Sequence, residues 1–214
     1  MSSLSKRLKT ITEFLNKDDS LVDVGCDHGL LSIYLIENNL VKKVIASDVN
    51  ANALSSAINN ISKANLDIET VLSDGIRDVD LNGINTLVIA GMGASTIRHI
   101  LSDGDRLKNI DKIITQSNND HEMLREFMNK IGYFLDNELY VLDKGKWYVT
   151  SSFVKSNKKN SKSIIKYGLL NNKEYNQYMI DSKEAILDKI PFSSIEAREL
   201  LIKEIEELKR TICK

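Results

Sequence analysis

Residues 21–29, Leu-Val-Asp-Val-Gly-Cys-Asp-His-Gly, set four ionisable side chains and two glycines at a point where the chain must turn. The apolar run Leu21–Val24 has the length and composition of a buried parallel strand, and Leu30, Leu31, Ile33, Tyr34, Leu35 and Ile36 follow with helical periodicity. Asp48 lies 19 residues beyond Gly29, at the end of a second apolar run. At this spacing, nucleotide-binding βαβ units hold an acidic residue against ribose hydroxyls. An Asp there also suits the N-cap of a helix starting near residue 50, so both roles are open. The dinucleotide pattern requires glycine where this chain has Asp27, because a pyrophosphate must approach bare backbone. A carboxylate at that position repels phosphates and favours a ligand whose near end is positive. An adenosine cofactor with a cationic amino-acid tail, S-adenosylmethionine, meets both requirements.

Two further segments belong to the same crevice. Asp74-Gly75 follows the third strand pattern and reads either as a turn pair or as an acceptor for an adenine amino group. Ala90-Gly91-Met92-Gly93-Ala94 follows the fourth, where small residues permit another molecule to approach the backbone or a helix to pack closely. His28 sits inside the turn, whereas His99 and His121 read as surface helix residues, too scattered for a metal site. No phosphate-binding P-loop or Gly-x-Ser-x-Gly elbow occurs. Pro191 is the sole proline, which excludes the Asn/Asp-Pro-Pro-aromatic motif of enzymes that methylate exocyclic amines. A ring nitrogen such as N1 of adenine has an in-plane lone pair and needs mainly to be held in line with a methyl donor.

These groups require an alternating scaffold. The pattern gives a leading helix on Leu4, Leu8, Ile11, Phe14 and Leu15, then strands near 21–25, 43–47, 67–72, 85–90 and 111–116. Helices fall at 29–38, 50–63, 94–102 and 120–131, and two apolar segments, 133–142 and 146–154, flank Asp143-Lys144-Gly145 as a hairpin. The fold class is therefore α/β: a Rossmann-like sheet of the class I methyltransferase type, ending in an antiparallel hairpin. The polar, basic stretch 155–163 reads as a linker. Two helices follow, at 164–190 and 194–213, broken by Pro191 and restarted by a Ser193–Glu196 capping box. Ala197, Leu201, Ile205, Leu208 and Ile212 form one seam of a coiled-coil-like hairpin; Tyr175, Tyr178, Ser182, Ile186 and Lys189 form the other. The expected domains are 1–156 for the cofactor and 157–214 for the helical hairpin.

With 214 residues, 42% hydrophobic and 28% charged, the chain can bury one full α/β core. A net charge of −1 provides no global basic field, so any nucleic-acid site is a local patch. Cys26 and Cys213 are the only cysteines, which excludes a disulfide framework and a zinc site. The N-terminal residues lack the apolar stretch of a secretory leader, and no run is long enough to span a bilayer; a cytoplasmic protein is expected.

Taken together, the chain resembles the bacterial tRNA (adenine-22-N1)-methyltransferase family. The matching segments are Leu4-Ser-Lys-Arg-Leu8, Asp23-Val-Gly-Cys-Asp-His28, Ala46-Ser-Asp-Val-Asn50, Ser73-Asp-Gly75, Ile89-Ala-Gly-Met-Gly93 with Ile97-Arg98, and Gln116-Ser-Asn118. Ser117 stands where the family usually has Pro, and Gly29 where Ala is common. The resemblance implies that Asp23, Gly25, Asp27, His28 and Gly29 surround the methionine end of S-adenosylmethionine. It implies that Asp48 holds the ribose, Asp74 and Gly75 the adenine, and Gly91 the methyl region, with Val49 also among the cofactor-binding residues. Met92, Gly93 and Asn118 are then the candidates for positioning the target base, with no catalytic residue assigned. Phosphate contacts are expected from Lys6 and Arg7 on the leading helix and from Lys158, Lys159 and Lys162, with tRNA as partner. No metal, membrane or obligate protein partner is expected. A methyltransferase for another RNA position or a small molecule, and a nucleotide-binding module without catalysis, are the alternatives.

Overall fold

The computed structural model describes residues 4–212, and two compact units divide the chain between Asn160 and Ser161. In the first unit, seven strands form one sheet: β1 (Ser20–Val24), β2 (Lys43–Asp48), β3 (Glu69–Leu72), β4 (Thr86–Met92), β5 (Lys112–Ser117), β6 (Tyr133–Asp143) and β7 (Lys146–Lys155). Their order is β3-β2-β1-β4-β5-β7-β6. The first five strands are parallel, and β7 inserts antiparallel between β5 and β6. Helices α1 (Lys6–Thr12), α2 (Leu30–Glu37), α3 (Ala51–Lys63), α4 (Ala94–Ile100) and α5 (His121–Lys130) cover the sheet.

Burial explains why these strands lack an apolar–polar alternation. All of β1, nearly all of β2 and β5 and the first four residues of β4 are inaccessible, as expected where helices cover the sheet. The core runs through Leu21, Ile45, Leu87, Ile89 and Ile114, with Leu35 and Ala57 closing from α2 and α3. β1 pairs with both β2 and β4, so the order of connections reverses there. In open α/β sheets the carboxyl ends of such a strand pair form the ligand crevice.

The terminal hairpin is tighter than the sequence suggests. Asp143 belongs to β6, and the turn consists only of Lys144 (φ 50°) and Gly145 (φ 78°). Two consecutive positive φ values define the hairpin turn whose twist matches the flanking strands. Within β6, Glu138 is fully buried beside α5. Its carboxylate accepts from Arg125 Nε (2.8 Å), Tyr140 Oη (2.6 Å) and Ser151 Oγ (2.7 Å).

The expected linker is partly built into the first unit. Lys155 ends β7, and its ammonium donates to the carbonyls of Leu107 and Lys108. Asn160 is buried, donates its N–H to Asn129 Oδ1 (3.0 Å), and pairs its amide side chain with the backbone of Leu135. In the second unit the single helix expected over 164–190 is two: α6 (Lys162–Tyr167) and α7 (Lys173–Leu187). Gly168 (φ 81°) and Leu170 (φ 54°) turn the chain out of helical geometry, and Asn172 caps α7 by accepting from the Tyr175 N–H. α8 (Ile195–Ile212) starts just after Ser194, whose carbonyl accepts from the Arg198 N–H. The seam on α8 buries Ile205 and Leu208 as expected. Its counterpart on α7 uses Met179 and Ile180; Tyr175 is buried, whereas Tyr178 and Ile186 are about half exposed. Lys183–Glu204 (2.8 Å) and Glu184–Lys209 (2.6 Å) bridge the two helices. Cys213 lies outside the described residues. No described helix is long and apolar enough to cross a membrane.

Candidate active site

A cleft of about 440 Å³ opens at the carboxyl ends of β1 to β4, where the sheet order reverses. After β1 the chain turns through Gly25, whose φ of +73° suits glycine, and a Cβ there would meet Met92 Cε at 2.2 Å. Glycine therefore permits both the turn and the seating of Met92 over it. The N–H groups of Gly25 and Cys26 both donate to Ser47 O (2.8 and 2.9 Å), locking the turn to β2. Asp27 takes a left-handed φ of 52°, and its exposed carboxylate lies 3.7 Å from His28 Nε2. Gly29, also left-handed, starts α2, where a Cβ would press on Ala57 at 3.1 Å.

Asp48 is nearly inaccessible at 8% exposure, and both its oxygens are held: Oδ2 accepts from the Asp27 N–H (3.0 Å) and Oδ1 from the Asn50 N–H (2.8 Å). It is not the cap of α3. Asn50 performs that task, its Oδ1 accepting from the Asn52 and Ala53 N–H groups. The carboxylate is thereby fixed at the cleft wall with acceptor capacity left on each oxygen. Beneath it, Asp23 is 4% exposed and accepts from Ser32 Oγ at 2.7 Å. Burial pushes its carboxyl up to about 6; the Ser32 hydroxyl opposes the shift and the Asp48 charge adds to it. The Cys26 thiol is pushed up to about 12 by burial and by the charges of Asp23 and Asp48, so it is an inert packing group.

The far end of the cleft is formed by Ser73, Asp74 and Gly75, with Val49 exposed on its rim. The Ser73 N–H donates to Asp48 O (3.0 Å), tying the β3 end to the cleft wall that carries Asp48. Gly75 has φ +66°, and Ile100 packs 3.0 Å from where its Cβ would stand. On the other side, a bulge at Gly91 (φ +78°) interrupts the β4–β5 register between Ala90 and Met92. Asn118 secures that bulge: its side chain donates to Gly91 O (2.7 Å) and its N–H to Met92 O (2.9 Å). Gly93 has ordinary φ and precedes α4, where Asn119 Oδ1 accepts from the Ala94 N–H.

The cleft thus brings together Asp23, Gly25, Asp27, His28, Asp48, Val49, Asp74, Gly75, Gly91 and Met92; Gly29, Gly93 and Asn118 support it from behind. Sequence reasoning missed Leu8, Ser73, Thr96 and His99 as lining residues. The spacing of Thr96 and His99, one turn apart at the start of the helix after the Gly91 loop, was a usable signal; nothing local marks Leu8. His121 is half-buried instead of lying on the surface, and desolvation with the nearby Arg125 charge lowers its pKa to about 4.

Of the expected phosphate ligands, Lys6, Lys158 and Lys162 are exposed. The Lys159 ammonium donates to Asn129 O. Arg7 lines the cleft, donating Nη1 to Gln116 Oε1 at 3.0 Å. No cluster of metal-ligating side chains occurs among the described residues.

Comparison with known proteins agrees with this geometry. Residues 4–150 match the family model described as a methyltransferase domain. A tRNA (adenine(22)-N(1))-methyltransferase of Bacillus subtilis is 32% identical over 148 residues, which is 68% of this chain and 62% of that protein, so this chain spans less than two thirds of that relative's length. Among solved structures, TrmK of M. capricolum in complex with S-adenosyl-homocysteine has a TM-score of 0.83 at 28% identity, covering 98% of this chain and 97% of the other. Sp1610 of Streptococcus pneumoniae, solved with S-adenosyl-L-methionine, has a TM-score of 0.84 at 28% identity, covering 98% and 100%. The matched segment takes in well over half of the sequence; the chain belongs to the methyltransferase domain family, and its resemblance to the tRNA (adenine(22)-N(1))-methyltransferases holds in sequence and in fold.

Proposed function

We propose that the protein transfers a methyl group from S-adenosylmethionine to N1 of adenine 22 in tRNA. The observation that carries this reading is the cleft itself: a buried, doubly anchored Asp48 beside a second buried carboxylate, opposite a proline-free Gly-Met-Gly loop. The donor set fits the cofactor. Asp48 has free acceptor capacity for ribose hydroxyls, Asp74 for an adenine amino group, and Asp23 and Asp27 supply negative charge for a cationic tail. When bound, the cofactor supplies an electrophilic methyl on a sulfonium.

The protein's own part is mainly placement. Gly91 and Met92 leave backbone and a flexible thioether facing the incoming base, and Asn118 fixes the loop through Gly91 O, so it acts as a positioning residue. Adenine N1 attacks with its in-plane lone pair and needs no base to deprotonate it first; an aligned contact near 3–3.5 Å suffices. The product base is cationic and leaves into a pocket rimmed by carboxylates before the N6 proton is lost. A target within folded tRNA must be unstacked to enter. Exposed Lys6, Lys158 and Lys162 are available for backbone phosphates, and the helical residues 157–214 serve as a tRNA clamp. The enzyme acts in the cytoplasm, with tRNA as its partner and no obligate protein partner.

The test is methyl transfer from labelled cofactor to total tRNA, to free adenosine and to a small-metabolite panel. Incorporation confined to folded tRNA is expected. Equal turnover of free adenosine would favour a small-molecule enzyme, and cofactor binding without any product would favour a binding module.

A further inference from the structure

β7 runs antiparallel to β5, so its first residues lie beside the carboxyl end of β5, with Val149 opposite Ser117. Tyr148 is one step beyond that register and is only half-buried. Two cations flank its ring: Lys146 Nζ at 5.3 Å and the Arg7 guanidinium at 5.8 Å from the centroid. Arg7 also reaches toward the Gly91 bulge, its Nη1 lying 3.8 Å from where a Gly91 Cβ would stand. The ring is therefore linked through one guanidinium to the loop that borders the methyl-transfer position. Among the described residues, neither the Tyr148 hydroxyl nor the Lys146 ammonium has a hydrogen-bonding or ion-pair partner. On this hairpin Asp143, paired in register with Lys146, accepts from the Arg7 backbone N–H at 3.3 Å.

We propose that Tyr148 is the platform on which the unstacked target base lies, with Lys146 and Arg7 taking the phosphates on its two sides. A half-exposed aromatic ring with two long cationic side chains over it, which can turn outward to phosphates as a base takes the face, is the combination that binds single nucleotides lifted from a helix. Its placement across the Gly91 bulge from the cofactor turn leaves the two ligands on opposite sides of the loop that must align them. The inference deepens the tRNA-methylation reading and rests on it.

Single-turnover methylation of tRNA by Tyr148→Phe, Tyr148→Leu and Lys146→Ala, each with cofactor affinity measured by calorimetry, tests it. Tyr148→Phe, which keeps the aromatic face, should retain most of the kcat/KM that Tyr148→Leu loses. Tyr148→Leu should lose roughly ten- to a hundredfold in kcat/KM for tRNA while cofactor Kd stays within twofold. Lys146→Ala should lower the slope of log affinity for tRNA against log salt by about one. Wild-type methylation by Tyr148→Leu would overturn the proposal, as would parallel losses of cofactor binding and rate, because the ring would then be supporting the fold. If the unmutated protein methylates no tRNA, the underlying reading falls and this proposal falls with it.

Discussion

At the residue scale, the site is defined by how its carboxylates are held. Asp48 is fixed by two backbone N–H groups before any ligand arrives. Asp48→Ala should therefore weaken S-adenosylmethionine binding by roughly 1.5–3 kcal/mol, about ten- to a hundredfold, by calorimetry. Asp23 behaves differently because burial raises its pKa to about 6. The folded state binds this proton more readily than the unfolded chain, so its contribution to stability is full below about pH 4 and lost as pH rises through 6. Ionised and without a cation, the buried carboxylate costs on the order of 3 kcal/mol at pH 8. Asp23→Asn should raise the melting temperature at pH 8 and leave it nearly unchanged at pH 4. A cationic ligand reverses the preference, so wild-type affinity for S-adenosylmethionine should rise about tenfold between pH 5 and pH 7, and the Asn variant should lack that rise. Asp48 was legible from its strand-end position and spacing; Asp23 was reached only through the family resemblance. Which of Asp48 and Asn50 caps α3 was not legible, since either side chain can accept the N–H groups of a first helical turn.

At the element scale, the parallel strands were readable because each is a short apolar run ending in Asp, Ser or Gly at the crevice. The break at Gly168 was not: one glycine in a weakly patterned polar stretch is equally compatible with a continuous helix. The seam on α7 misled for a related reason, since Tyr178 and Ile186 compete with Met179 and Ile180 for the inner face and only packing selects the latter pair. The placement of α1 against the terminal hairpin is tertiary and left no local trace, so Arg7 read as a surface cation. α5 and the terminal hairpin are joined by the Arg125–Glu138 pair, 5% and 0% exposed on their side chains. Glu138→Gln keeps the shape but leaves the guanidinium without its counter-charge. It should cost about 3–5 kcal/mol in urea unfolding, against about 1 kcal/mol for Ser151→Ala. A loss below 1 kcal/mol for Glu138→Gln would mean that water reaches this network.

At the scale of the whole molecule, the proposed function divides labour between a cofactor-binding unit and residues that bring tRNA to it. A chain ending at Asn160 should retain wild-type cofactor affinity and lose most affinity for tRNA; methylation at the full rate would contradict the clamp role given to the remainder. The central claim is the chemistry at the base, which follows from the Gly91-Met92-Gly93 loop standing where a proline-rich amine-binding motif would otherwise be. Nucleoside mass spectrometry of tRNA methylated by the full-length protein tests it most directly. N1-methyladenosine, mapped to position 22 and absent when folded tRNA is replaced by free adenosine, is the predicted result; methyl on N6, or on a different nucleoside, would contradict it.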